Sequence, residues 1–168
     1  MIHVCSLAAL PATVKAVGAS HVLTVMANVE QVQRPESVLA ANHLKVQMDD
    51  ITEQLDGFVA PTETHIEQVL NFVRRWDRNA PLVVHCYAGI SRSTASAFAA
   101  VCALNPHRDE IAIARQIRAA SPIAAPNRLI VSLADRALGR DGRMLRALDE
   151  MGPGSMTVEG RPFCIDLE

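Results

Sequence analysis

A short apolar run, Pro81-Leu82-Val83-Val84, ends in His85-Cys86, and six residues after the cysteine the chain reaches Arg92, followed by Ser93. A continuous apolar segment of this length reads as a buried central strand. From Ser93 to Leu104 the side chains are small and apolar, with Ala95, Phe98, Ala99 and Cys102, which reads as a buried helix. Only Tyr87-Ala88-Gly89-Ile90-Ser91 lies between Cys86 and Arg92, and Gly89 permits a turn that a side chain would block. Strand, tight loop and helix start together bring backbone N–H groups and the positive end of a helix onto one point, which suits a phosphate.

The residue types fit that geometry. Inward amides favour a thiolate at Cys86, and the same amides, from Tyr87, Ala88, Gly89, Ile90, Ser91 and Arg92, would then bind phosphate oxygens. The Arg92 guanidinium can grip two oxygens in one plane, which a lysine cannot do. Ser93 can donate its hydroxyl to the sulfur. His85 is excluded as the base for Cys86, because adjacent strand residues point to opposite faces; its expected work is a hydrogen bond that fixes the loop. Cys102 lies in an apolar helical run and is expected to pack.

His85-Cys86-Tyr87-Ala88-Gly89-Ile90-Ser91-Arg92-Ser93 resembles the signature of the cysteine-dependent tyrosine phosphatase superfamily, His-Cys-x-x-Gly-x-x-Arg-Ser/Thr. Within it the loop looks most like the dual-specificity branch, of bacterial type. The resemblance implies a phosphomonoester hydrolase acting through a phosphocysteine, with an aspartate that protonates the leaving oxygen. Three aspartates are candidates: Asp49, Asp50 and Asp56. The family pattern of alternating apolar residues before the acid lands on Asp50. Alternation agrees, since Val46, Met48 and Asp50 share one strand face and Asp49 the other. Pro126-Asn127 is similar to the family's Pro-Asn at the head of a helix behind the loop, with Asn127 as its N-cap and a brace. No segment resembles the tyrosine-rich loop that deepens strict tyrosine phosphatases, which implies a shallow pocket open to phosphotyrosine, phosphoserine and phosphothreonine. Tyr87 is expected either at the rim or against the next helix. The chemistry calls for no metal or cofactor, because loop dipoles and one guanidinium do the electrostatic work.

The remainder of the chain alternates strands and helices. Strands are expected at Ile2–Cys5, His21–Met26 and Leu44–Met48. Helices are expected at 8–17, 62–76 with Thr62 as N-cap, 109–120, 127–138 and 144–151. Residues 27–42 read as a loop. This order predicts a single α/β domain with a mostly parallel central sheet flanked by helices. Residues 1–139 are expected to be the phosphatase-like catalytic domain. Residues 140–168 are expected as a C-terminal extension, either part of that domain or a tail; Phe163-Cys164-Ile165 could add an edge strand.

A net charge of −2 gives no general reason to expect nucleic acid or an anionic membrane as partner, so attraction for a phosphorylated protein or peptide must be local. The loop carries no lysine, which argues for a mono-phosphorylated substrate over a polyanionic phosphoinositide. The four cysteines, Cys5, Cys86, Cys102 and Cys164, form no C-x-x-C pair and suit a reducing cytosol. The first ten residues lack a basic n-region, so a signal peptide is not expected. Two other readings remain open at this point: a phosphate-binding module without turnover, and a phosphatase of a non-protein phosphomonoester.

Overall fold

Leu82–His85 (β4) is buried along its whole length and runs parallel to two neighbours, Ile2–Cys5 (β1) and His21–Met26 (β2). The computed structural model describes residues 1–167. Five strands form one sheet in the order β3-β2-β4-β1-β5, where His43–Gln47 (β3) is parallel and Phe163–Ile165 (β5) is the antiparallel edge. The predicted α/β architecture is thus the one observed.

Both faces of a parallel sheet must be covered, and alternation along β4 shows how. Val83 packs with Cys5, Leu10, Val14 and Val22 beneath Leu10–Val17 (α1). Val84 packs on the other face with Val25, Ile66, Val73 and Phe98. That second face carries Glu63–Arg75 (α2), Arg92–Leu104 (α3), Glu110–Ala120 (α4), Arg128–Ala137 (α5) and Arg143–Met151 (α6). Thr62 caps α2 as predicted: its hydroxyl accepts from the His65 amide, and the His65 ring accepts from the Thr62 amide.

Some boundaries differ from the sequence reading. The first helix starts at Leu10, because residues 7–9 form a turn in which the Ser6 hydroxyl accepts from the Ala9 amide. β3 sits one residue earlier than expected, although Met48 N still bonds Met26 O at 3.2 Å and continues the extended path. Residues 27–42 are loop with two short 3-10 turns, anchored by buried Val29, Val32 and Val38.

The segment after Gly139 is tied down. Buried Arg140 donates to Glu110 Oε1 at 2.8 Å and to the Cys102 and Pro106 carbonyls, which end α3 and its following turn. Asp135 accepts from the Gly142 and Met144 amides and so holds the start of α6. Residues 152–162 then run without regular structure past Pro122, whose carbonyl accepts from Ser155 N, to the cysteine loop, where Gly160 N bonds Ala88 O, and β5 closes the sheet against β1.

Candidate active site

The loop after Cys86 is shaped by where its carbonyls go. Tyr87 O accepts from Leu7 N at 3.0 Å, Ala88 O from Gly160 N at 2.8 Å, and Ile90 O from Ala125 N at 3.0 Å. Ser91 O accepts from Ala95 N in the first turn of α3 and from Asn127 N. Four carbonyls therefore face outward onto four different segments. In a trans peptide the following N–H points the opposite way, so the amides of Ala88, Gly89, Ser91 and Arg92 turn inward. Gly89 N meets the Cys86 sulfur at 3.3 Å. Gly89 has φ +73, and a Cβ there would lie 2.7 Å from the backbone of Cys5 and Ser6, so only glycine fits against the end of β1.

The predicted side chains converge on this cradle. Cys86 is buried, and its Sγ lies 3.2 Å from the Ser93 hydroxyl. Arg92 folds back, and Nη1 donates to the Met48 carbonyl at 2.9 Å. Its Nε is buried without a partner. A buried guanidinium N–H is costly to leave unpaired. Asp50, at the end of the path from β3, accepts from Ser91 Oγ at 2.7 Å and from Asn127 Nδ2 at 2.8 Å through Oδ1. Asp49 points into its own loop, where its carboxylate accepts from Val59 N at 2.7 Å. Asp56 is exposed at a turn further along that loop. Asn127 caps α5 by accepting from Ile130 N, and its Nδ2 also holds the Ile51 carbonyl.

His85 stands on the face opposite Cys86 and is fully buried. Its Nδ1 lies 3.2 Å from the Cys86 carbonyl, and its Nε2 lies 2.7 Å from Thr24 Oγ1, which in turn meets His43 Nε2 at 2.8 Å. A carbonyl only accepts, so Nδ1 of His85 carries its proton and Nε2 accepts from Thr24. Thr24 then accepts from His43 Nε2–H. Burial pushes His85 and His43 down to about 4, which keeps both rings neutral. The chain of three side chains sets the Cys86 carbonyl from behind. Cys5 lies beneath α1, on the other face from Cys86, and burial pushes its thiol up to about 12, as it does that of Cys102.

Tyr87 is 68% exposed, which puts it at the rim. The sequence reading did not foresee Ser6, Thr24, His43 or Gly160. A polar threonine inside an apolar strand was the one available signal for the Thr24 chain. Among the described residues no three His, Cys, Asp or Glu side chains converge to hold a metal ion.

Solved structures share this fold at low identity. DUSP15 matches with TM-score 0.65 and 20% identity over 92% of this chain and 94% of that one. Cydia pomonella PTP-2 phosphatase matches with TM-score 0.63 and 18% identity over 80% and 84%. PTPMT1, in complex with PI(5)P, matches with TM-score 0.59 and 16% identity over 88% and 94%. A search of curated proteins finds no match. A family model, "Tc-R-P: Polymorphic toxin system, DSP-PTPase phosphatase", matches residues 8–104, which hold Asp50 and the whole of the cysteine loop. The match spans more than half of the chain and takes in Asp50, Cys86 and Arg92, and the chain belongs to this DSP-PTPase phosphatase family.

Proposed function

We propose that the protein hydrolyses phosphotyrosine in proteins, and also phosphoserine and phosphothreonine, through a phosphocysteine intermediate. Cys86 attacks phosphorus as a thiolate, while Arg92 and the inward amides hold the equatorial oxygens. Asp50 gives its proton to the leaving oxygen. Water, deprotonated by Asp50, then breaks the S–P bond and releases inorganic phosphate, with the Ser93 hydroxyl donating to the departing sulfur. Developing charge falls on the loop amides and the guanidinium, which are in place before reaction.

The observation that carries this reading is Asp50 hydrogen-bonded to Ser91 within the same loop that cradles Cys86. It favours turnover over a binding module without catalysis, because a module needs no acid there. The lysine-free loop favours a mono-phosphorylated protein over an inositol lipid, although PTPMT1 was solved with PI(5)P. The test is turnover of phosphotyrosine and phosphothreonine peptides and of phosphoinositide vesicles by purified protein. Peptide turnover is expected to exceed lipid turnover, and no release of phosphate from any of them would overturn the proposal.

A further inference from the structure

Residues 152–162 bring a carboxylate to the rim of the cysteine loop. Gly160 N bonds Ala88 O, and the adjacent Glu159 is fixed by the Ser6 hydroxyl, which donates to Oε1 at 2.6 Å. A carboxylate accepts at both oxygens, so Oε2 remains for a ligand. Glu159 closes one side of a cavity of about 440 Å³ whose other walls are Leu7, Ala8, Tyr87, Ala88 and Val158. Tyr87 and Val158 are 68% and 93% exposed, so this apolar wall stands open beside the phosphate cradle. On the other side of the loop a second cavity holds Asp50, Glu53 and Arg128, and Arg128 is already held by Asp149 at 2.6 Å.

We infer that this cavity takes a lysine or arginine side chain of the substrate, close in sequence to the phosphorylated residue. The inference rests on the hydrolase reading above. The occupant follows from the chemistry: apolar walls suit an aliphatic stem, and a fixed carboxylate suits its cationic head. An acidic flank, or a second phosphate on a lipid headgroup, would meet Glu159 and be repelled. Gly160 sets the position, because a Cβ there would lie 2.9 Å from Gly89 O, so the segment seats directly on the loop.

The test uses phosphotyrosine peptides that differ at one flanking position, carrying Lys, norleucine or Glu, scanned over two residues on each side. Wild type is expected to show kcat/KM about tenfold higher for Lys than for norleucine at one position, and lowest for Glu, with the preference shrinking in high salt. Glu159→Lys is expected to invert the order of Lys and Glu peptides. Ser6→Ala, which frees the carboxylate without removing it, is expected to weaken the preference several-fold, and thermal unfolding of both variants checks that they fold. An equal rate for all peptides, or an order unchanged in Glu159→Lys, overturns the inference. Faster turnover of phosphoinositide vesicles than of the Lys peptide does so as well. Wild-type turnover of an aryl phosphate separates the two failures: turnover without ranking overturns the flanking preference alone, and no turnover overturns the hydrolase reading and this inference with it.

Discussion

The Asp50 carboxylate accepts a hydrogen bond from the Ser91 hydroxyl at 2.7 Å, across 41 residues of sequence. That bond ties the Asp50 loop to the cysteine loop, and Asn127 secures the same oxygen from the head of α5. Removing the acid should therefore slow chemistry while leaving binding. Asp50→Asn is expected to lower kcat on a phosphotyrosine peptide by about 10²–10⁴-fold, with a smaller loss on an aryl phosphate whose leaving group needs no proton. Asp49→Asn, which touches only Val59 N, should cost under about tenfold.

Arg92 has one nitrogen occupied by Met48 O and a buried Nε without a partner. Arg92→Lys keeps the charge and loses the planar fork. A fall in kcat/KM of about 10²–10³-fold on an aryl phosphate, with weaker inhibition by vanadate, is the expected outcome. Near-wild-type kinetics would mean that the unpaired edge does not meet the phosphate.

Gly89 combines a left-handed φ with contact against the β1 backbone. Gly89→Ala adds an αL cost of about 1–2 kcal/mol to a 2.7 Å clash with backbone, which cannot swing aside. Urea unfolding should show a loss of at least ~2 kcal/mol, and activity should fall with it as the cradle opens.

His85 makes stability depend on pH. Burial lowers its folded pKa from 6.5 to about 4. Between those values the unfolded chain binds a proton that the folded chain refuses, so the contribution is whole above pH 6.5 and is lost as pH falls toward 4. The single-group effect is on the order of 3 kcal/mol. His85→Asn should flatten the fall of the urea midpoint over this window, and His43, held to the same Thr24 hydroxyl, should contribute a slope of the same sign.

How much of this was legible follows from sequence distance. Cys86, Gly89, Arg92 and Ser93 lie in one contiguous strand–loop–helix pattern, so their spacing fixes their geometry. Asp50 was readable because strand alternation carries its direction from Val46 and Met48. Asn127 was readable as a helix cap, a local signal, but its bond to Asp50 was not. The outward carbonyls of the loop find partners at Leu7, Ala125, Asn127 and Gly160, drawn from three distant parts of the chain, and no local pattern announces such pairings. Ser6 and Glu159 meet across 153 positions for the same reason. Residues 152–162 lack any periodicity, yet their glycines allow close approach to carbonyls of the loop and of residues 123–124.

The central claim is a covalent bond between Cys86 and phosphorus, and acid quenching tests it directly. Protein mixed with an aryl phosphate carrying labelled phosphorus should retain label on Cys86 after denaturation. Asp50→Ala should retain more, because the second step has lost its base while a good leaving group spares the first. Cys86→Ser should retain none. Steady release of phosphate by wild type with no label ever trapped at Cys86, in either wild type or Asp50→Ala, would contradict the account.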